Sequence, residues 1–239
     1  MGYIIYFLLA VLGLVVGSFL ASLTWRLPRK SKIDFSERSL CPKCGYRLPW
    51  QDNIPLVSYI WLGGRCRSCN RKISLRYPLI ELTTASVFIL VGPMPYFILV
   101  SSVLLAIAVI DLERTIIPDE LVFFGFSASF LFLLLAKSPT LFIHLFWASA
   151  ASFFLLALHW LTRGRGMGLG DVKLAAYLGL LVGNLFPALF FVAAVSGAVV
   201  GLFLVLGRRA KFSQPIPFGP FLVFGTFAVM LFENAIFNF

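Results

Sequence analysis

From Tyr3 to Leu23 the sequence contains no charged residue. At about 1.5 Å of rise per residue, a helix of this length crosses the roughly 30 Å hydrocarbon core of a bilayer. A cleaved signal peptide carries basic residues before its apolar run, whereas here Arg26 and Arg29 follow it. The segment therefore predicts a first transmembrane helix, which we expect to be retained as an anchor.

Seven further apolar segments follow the first. They lie at residues 79–92, 95–110, 120–136, 140–161, 172–186, 188–206 and 218–237. The shortest of them can cross only if the bilayer thins locally. The predicted fold is an all-α polytopic membrane protein with about eight transmembrane helices, the first within residues 1–24 and the other seven within residues 78–239.

The composition excludes a water-soluble enzyme of this size. Of the 239 residues, 60% are hydrophobic and 13% are charged, and that charged fraction is about half of what is usual in a soluble domain. The mean hydropathy is +0.94. So much apolar surface cannot be buried inside one core, because the interior of a domain of this size is too small. The chain therefore belongs in a lipid bilayer.

The positive charge is concentrated in one place. The chain has 20 Lys and Arg residues against 10 Asp and Glu residues, a formal net charge of +10. Most of the basic residues lie in the only long polar segment, residues 25–77, which the positive-inside rule places in the cytoplasm. With eight spans, every remaining basic residue except Lys137 also falls on that side. A basic surface beside a membrane favours contact with anionic lipid rather than with nucleic acid.

The polar segment also contains every cysteine of the chain, in two Cys-x-x-Cys pairs. They are Cys41, Cys44, Cys66 and Cys69. This spacing is typical of a tetrahedral zinc site. The alternative is a pair of disulfides or unconnected thiols, but disulfides are disfavoured in a reducing cytoplasm. Because four thiolates leave no open coordination position for water, we expect a structural zinc ion that stabilises the 25–77 loop.

Two carboxylates stand at the cytoplasmic ends of predicted spans. Asp111 ends one apolar span, and Asp171 begins another. A carboxylate at the edge of the hydrocarbon is costly unless it faces a polar cavity or partner. Two Asp side chains that share a proton can activate a water molecule for attack on an amide carbonyl. The alternatives are a proton or ion relay in a transporter and, for Asp171, a plain helix N-cap.

Asp171 follows a glycine-rich segment that contains Gly166, Gly168 and Gly170. Glycine lacks a Cβ, so these positions could adopt positive φ and allow another backbone to approach the carboxylate. Asp171 begins a predicted helix, where the helix dipole favours negative charge, whereas Asp111 ends one. We therefore expect Asp171 to be the ionised base and Asp111 the protonated acid.

Other polar residues have simpler interpretations. His144 and His159 share one span that has no acid or cysteine, and they are predicted to form hydrogen bonds rather than to bind metal. Asp34, Glu37 and Asp52 in the polar loop are predicted to be solvated surface. The sequence has no Gly-x-Ser-x-Gly, His-Glu-x-x-His or phosphate-loop motif, so serine, metallo and nucleotide-driven mechanisms lack a basis.

Several short motifs occur in a distinctive order along nearly the whole chain. They are Gly17-Ser-Phe-Leu, Cys41-Pro-Lys-Cys44, Gly64-Arg-Cys66-Arg-Ser-Cys69, Arg76-Tyr-Pro78-Leu-Ile-Glu81, Ile117-Pro118-Asp119, Gly166-Met-Gly168-Leu-Gly170-Asp171-Val-Lys173 and Ile216-Pro-Phe218-Gly-Pro220. Each string alone is weak, but their combined order is specific. It resembles the type IV prepilin peptidases (leader peptidase/N-methyltransferases), a family of intramembrane aspartic proteases with a Gly-x-Gly-Asp motif.

The resemblance implies an aspartic endopeptidase of the bacterial inner membrane, with its active site and zinc loop facing the cytoplasm and residues 78–239 as its peptidase domain. Asp111 and Asp171 would be catalytic, and the four cysteines would bind zinc. The active-site loop would hold Gly166, Gly168, Gly170 and Lys173. The substrates would be type IV prepilins or type II secretion pseudopilins, cut after a short basic leader. S-adenosylmethionine would then methylate the new N-terminal residue.

A basic leader needs acidic residues on the enzyme, because the basic 25–77 loop should repel it. Acids near the predicted inner helix ends are Glu81, Glu113, Asp119 and Glu120. We expect some of these acids to bind the leader.

Two other functions remain open from the residues alone. One is a membrane transporter or proton relay with a zinc-stabilised cytoplasmic loop, although no internal repeat of the kind common in transporters is visible. The other is a membrane methyltransferase without peptidase activity.

Overall fold

A computed structural model describes residues 2–29, 40–41, 43–164, 166–207 and 216–237. Within this part of the chain the regular structure is helical. Its α-helices are α1 (Gly2–Arg26), α2 (Val57–Trp61), α3 (Arg76–Val91), α4 (Pro95–Arg114), α5 (Asp119–Leu135), α6 (Leu141–Leu161), α7 (Leu169–Val182), α8 (Phe186–Leu206) and α9 (Gly219–Phe237). The predicted all-α class is therefore confirmed.

Every predicted apolar span coincides with a helix. Among the residues that the structure describes, four stretches are long and apolar enough to cross a membrane: Tyr3–Arg26, Pro95–Arg114, Leu141–Leu161 and Leu169–Leu206. The last of these holds both α7 and α8, separated by a 3-10 turn at Gly183–Leu185. Because α3 and α5 are only 16 and 17 residues long, the count of eight spans stays a prediction.

The chain forms two compact units, Met1–Ser102 and Val103–Phe239. The functional division expected from the sequence, into residues 1–24, 25–77 and 78–239, stays a prediction. Asp34 and Glu37, which were expected at the surface, lie outside the described residues.

In the first unit, α1 packs closely against α3. A Cβ added to Gly13 would lie 2.5 Å from the Cα of Ala85, so the two backbones are in direct contact there. At the polar end, the Arg76 guanidinium donates hydrogen bonds of 2.6 Å to the carbonyl of Ala21 and of 2.6 Å to the hydroxyl of Thr24. These contacts fix the beginning of α3 against the end of α1.

The second unit is built around α7, which contacts α5, α6, α8 and α9. Leu174, Tyr177 and Leu178 on this helix are completely buried. Small residues on the neighbouring helices allow the close approach: a Cβ on Gly125 of α5 would lie 2.6 Å from the ring of Tyr177. The central helix is therefore also the helix that begins with the predicted catalytic segment.

Candidate functional site

Asp111 lies in the last turn of α4 and is only 5% exposed. Its Oδ2 accepts a hydrogen bond of 2.9 Å from the backbone amide of Gly219, the first residue of α9. A Cβ on Gly219 would lie 2.7 Å from that oxygen, so the contact requires glycine. The sequence motif that contains Gly219 did not predict this role. The following Pro220 is a sequence signal for it, because proline favours the start of a helix.

Asp171 lies in the first turn of α7 and is 8% exposed. Its Oδ2 accepts a hydrogen bond of 3.0 Å from the amide of Gly168, the N-cap residue. Asp171 is thus not the N-cap that the alternative expected, but the third residue of the helix, whose side chain caps the amide of the N-cap residue. A cap alone does not require burial, and burying a carboxylate is unfavourable, so capping does not account for the position of this side chain.

Both aspartates are buried in the second unit, and the charge of Asp111 acts on the carboxyl group of Asp171. Each also accepts an amide hydrogen bond at a helix N-terminus, Asp111 from α9 and Asp171 from α7. The predicted difference in protonation was based on Asp111 ending a helix. Asp111 does lie in the last turn of α4, but it also lies at the positive end of α9, where the helix dipole favours negative charge as it does at Asp171. The helix dipole therefore does not separate the two side chains, and the difference in protonation stays a prediction.

The glycines at the start of α7 do not use the backbone freedom of glycine, and Gly170 serves close packing. Gly166, Gly168 and Gly170 all lie outside the positive-φ region, so that part of the prediction is wrong. A Cβ on Gly170 would lie 3.1 Å from the Cβ of Ile117. Close approach is therefore the reason for glycine here, and it brings α7 against the segment that follows α4.

Two histidines of α6 hold α7 at its two ends. Nδ1 of His159 lies 2.6 Å from the carbonyl oxygen of Met167, and Nδ1 of His144 lies 2.7 Å from that of Leu180. A carbonyl only accepts, so in both rings Nδ1 carries the proton. The predicted hydrogen-bonding role is confirmed, and the structure adds that His159 anchors the residue just before the helix that carries Asp171.

The four acids proposed for leader binding are not equivalent. Asp119 forms an exposed ion pair with Lys173, with 2.8 Å between the ammonium group and each carboxylate oxygen. Glu113 and Glu120 are also exposed in the second unit. Glu81 is buried in the first unit, where its Oε2 accepts a hydrogen bond of 2.9 Å from the amide of Leu56. Only three of the four are therefore open to solvent.

The four cysteine thiols converge. Their sulfur atoms all lie within 4.8 Å of one another, and Sγ of Cys41 is 4.0 Å from Sγ of Cys69. A tetrahedral zinc ion with bonds of about 2.3 Å needs sulfurs about 3.8 Å apart, whereas a disulfide needs about 2.05 Å. The donor set fits zinc and does not fit the disulfide alternative.

Both cysteine pairs use the same local turn. The amide of Gly45 donates to the carbonyl of Cys41 at 2.9 Å, and the amide of Asn70 donates to the carbonyl of Cys66 at 2.9 Å. Gly45 has φ of 71° and Asn70 has φ of 56°, a left-handed conformation that these two residue types tolerate best. The repeated turn presents two sulfurs from each side of the site.

Hydrogen bonds among the thiols separate their pKa values. Burial opposes ionisation of Cys41, but hydrogen bonds from the backbone of Lys43 and Cys44 and from neighbouring thiols outweigh it, and the pKa of Cys41 falls to about 7. A backbone hydrogen bond from Tyr46 favours the Cys44 thiolate, but burial and the neighbouring thiols raise the pKa of Cys44 to about 11. Cys41 therefore loses its proton at a lower pH than Cys44. A bound divalent cation would favour the thiolate form of all four cysteines.

The prediction that Asp52 lies at the solvated surface is wrong. This residue is 8% exposed and its carboxylate accepts hydrogen bonds from Nε and a terminal nitrogen of Arg67, the latter at 2.7 Å. The carboxylate raises the pKa of Arg67 above its usual value through these bonds. Because Arg67 lies between Cys66 and Cys69, the ion pair connects the turn at Trp50–Asn53 to the second cysteine pair.

The fold and the site define a class of protein with apolar helices and two buried aspartates that each meet a helix N-terminus. Two family models match the chain, the Bacterial Peptidase A24 N-terminal domain over residues 11–93 and the Type IV leader peptidase family over residues 98–202. The chain belongs to the type IV leader peptidase family, a family of aspartic class, and is an enzyme. The family inferred from the motifs is thus confirmed.

Relatives from several bacteria share most of the chain. The Prepilin leader peptidase/N-methyltransferase of Aeromonas salmonicida is 38% identical over 83% of this chain and 72% of its own length. The protein of the same name from Aeromonas hydrophila is 35% identical over 97% of this chain and 92% of its own length. The protein of that name from Bacillus subtilis is 32% identical over 97% of this chain and 96% of its own length. No solved structure matches the chain.

Proposed function

We propose that the protein removes the basic leader from type IV prepilins or type II secretion pseudopilins by aspartic chemistry and then N-methylates the new N-terminus. The observation that carries the peptidase proposal is the buried, electrostatically interacting pair of Asp111 and Asp171. Membership of the leader peptidase family and the two activities named in the relatives support it.

In the proposed reaction, one carboxylate of the pair takes a proton from a water molecule as the water oxygen attacks the scissile carbonyl carbon. The partner carboxyl group donates its proton to the carbonyl oxygen, which gives a neutral tetrahedral intermediate. The intermediate then expels the leaving amine, which receives a proton from the carboxyl group that had acted as base. One hydroxyl group of the intermediate returns its proton to the partner carboxylate, which restores the starting state of the pair. The amides of Gly219 and Gly168 hold the two side chains while their protonation states exchange.

The leader would be bound by acidic side chains. Glu113, Asp119 and Glu120 are exposed in the same unit as the aspartate pair, and Lys173 beside Asp119 belongs to the proposed active-site loop. An incoming Lys or Arg of the leader could replace Lys173 as the partner of Asp119, because an exposed ion pair is weak. Glu81 is the least suitable of the four, since it is buried.

The proposed location is the bacterial inner membrane, with the aspartates and the cysteine loop on the cytoplasmic side. The distribution of basic residues supports this orientation, and the long apolar helices support membrane insertion. A structural zinc ion would be held by Cys41, Cys44, Cys66 and Cys69, where it would replace thiol protons and cross-link the two turns.

The test is incubation of the purified protein with a synthetic prepilin and isotopically labelled S-adenosylmethionine, followed by mass measurement of the product. We expect a truncated product that carries the labelled methyl group on its new N-terminus. An intact peptide would contradict the peptidase proposal. A truncated but unlabelled peptide would contradict the methyltransferase half alone.

A further inference from the structure

The basic 25–77 loop contains one apolar segment that neither the zinc site nor the aspartate chemistry uses. Residues 53–64 carry no charge, and α2 lies within them. Val57, Ile60 and Trp61 have the i, i+3, i+4 spacing of one helix face, here called the outer face of α2. All three are exposed, Ile60 to 77% and Trp61 to 84%. Adjacent large apolar side chains with such exposure mark a contact surface for an apolar partner.

The opposite face of α2 is attached to the second cysteine turn. A Cβ on Gly64 would lie 3.0 Å from the ring of Tyr59, and the Tyr59 hydroxyl donates a hydrogen bond of 3.4 Å to the carbonyl of Ile73. The amide of Ile73 in turn donates to the carbonyl of Gly64 at 2.7 Å. These contacts join α2 to the hairpin that carries Cys66 and Cys69, so the direction of the outer face is fixed relative to that hairpin.

Glu81 fixes the depth of α2 relative to the first transmembrane helix. Its Oε2 accepts a hydrogen bond of 2.9 Å from the amide of Leu56, the residue before α2. Glu81 itself lies against α1, because a Cβ on Gly17 would lie 2.7 Å from the Cα of Glu81. Gly17 lies about 9 Å inside the Leu23 end of the charge-free segment, at a rise of about 1.5 Å per residue. The beginning of α2 is therefore level with the edge of the bilayer that α1 crosses.

The short length of α2 keeps all of it near that edge. Its five residues extend about 7.5 Å, so even an α2 directed straight away from the membrane would carry Trp61 no farther than the headgroup layer, which is about 5 to 7 Å deep. Tryptophan is enriched at this boundary. The exposed Arg65 and Lys72, which pair across the hairpin, supply positive charge for anionic headgroups.

We propose that the outer face of α2 inserts into the boundary between headgroups and acyl chains, in the leaflet where α1 ends. The cysteine loop is then fixed at three places: at the end of α1, at the beginning of α3 and at the lipid surface. The proposal requires that α1 crosses the membrane, and it requires neither the peptidase nor the methyltransferase activity.

The experiment places a photoreactive phenylalanine analogue at position 60 of the full-length protein, in vesicles of phosphatidylethanolamine and phosphatidylglycerol. After irradiation, mass spectrometry identifies the molecule that the analogue has captured, and we expect a phospholipid adduct. The matched control carries the analogue at Ser68, an exposed position at the tip of the same hairpin, where little lipid should be captured. Equal lipid capture at both positions would overturn the proposal. So would capture at position 60 of the second unit, another copy of the chain or added prepilin in place of lipid, or no capture there.

A charge on the outer face tests the apolar contact itself. With the analogue at position 60, Trp61→Asp should lower the lipid adduct about fivefold or more, because Asp is among the residues least tolerated in lipid. Ser68→Asp is the matched control and should leave the adduct unchanged. Zinc content is measured in both variants, and an undiminished adduct in a zinc-loaded Trp61→Asp protein would overturn the proposal. If Trp61→Asp loses zinc, capture in the protein without this change decides.

Prepilin cleavage measured on the same vesicles separates this proposal from the proposed function. A protein that cleaves prepilin but captures no lipid at position 60 would contradict the lipid contact alone. A protein that captures lipid but does not cleave prepilin would confirm the contact and contradict the peptidase proposal alone.

Discussion

The amide of Gly219 donates a hydrogen bond of 2.9 Å to Oδ2 of Asp111, although 108 residues separate them in the chain. The bond places the end of α4 at the beginning of α9, so that a side chain at one helix C-terminus lies at the positive end of another helix. Asp171 has the equivalent bond from Gly168 at the beginning of α7. Both buried carboxylates are thus held by the same kind of interaction, a hydrogen bond from a backbone amide at a helix N-terminus.

Replacement of either aspartate by asparagine should abolish cleavage. Asp111→Asn and Asp171→Asn keep the size of the side chain but remove the group that exchanges a proton, so we expect the rate to fall by about a hundredfold to ten-thousandfold. The measurement is prepilin cleavage by purified, folded protein. Asp119→Asn is the matched control at an exposed carboxylate and should reduce cleavage far less. Near-normal cleavage by either buried variant would refute the mechanism.

Gly219→Ala should impair the enzyme without unfolding it. The new Cβ would lie 2.7 Å from Oδ2 of Asp111, so the carboxylate must move, and displacement of a reacting group by about 1 Å can cost about a hundredfold in rate. Cleavage kinetics and thermal unfolding should be measured together. In Gly201→Ala, the control, the added Cβ would meet only Ile216 Cδ1 at 3.4 Å, and activity should persist. Equal activities in the two variants would show that the Gly219 contact is dispensable.

The two histidines of α6 offer a matched pair. His144→Ala and His159→Ala each remove one hydrogen bond to the backbone, from Leu180 and Met167 respectively, and each should cost about 1 kcal/mol of stability. Only His159 anchors the segment that leads directly to Asp171. We therefore expect a larger fall in kcat for His159→Ala, at a similar loss of thermal stability. Equal kinetic effects would mean that both act through stability alone.

Removal of zinc should disorder the cysteine loop. We expect the purified protein to contain one zinc ion per chain, and Cys66→Ser to lose it, since three thiolates close the site less completely than four. Limited proteolysis should then cut between residues 40 and 75, whereas Ser68→Ala, a change at an exposed position inside the same pair, should leave zinc and protease resistance intact. A zinc-free wild-type protein with a resistant loop would contradict the structural role.

Charge reversal of the exposed acids should affect basic leaders selectively. Glu113→Lys combined with Glu120→Lys should raise KM for a Lys-rich leader, because like charges repel. The control is the same prepilin with its leader lysines replaced by glutamine, for which the two enzymes should differ little. The difference should shrink at high ionic strength, where exposed charges are screened. Identical KM values with both substrates would exclude these acids from leader binding.

Much of the site was accessible from the sequence because it depends on local patterns. Long apolar runs predicted the long helices that the structure describes, and the Cys-x-x-Cys spacing predicted which four thiols converge. Asp111 and Asp171 stood out because carboxylates at the ends of apolar runs are costly. The errors came from contacts between residues that are distant in sequence. Asp52 is buried in an ion pair with Arg67, and the amide of Gly219 places Asp111 at the positive end of α9.

The sequence by itself therefore determined the helical class, the affinity for a bilayer, the family and the chemical groups that are available. Those properties follow from composition and from spacing along a few turns, which need no knowledge of distant contacts. Only the tertiary structure decided that both aspartates meet helix N-termini, that Gly170 allows close packing against Ile117 and that Glu81 is enclosed. These are consequences of helix packing, and packing depends on residues that meet only once the chain has folded.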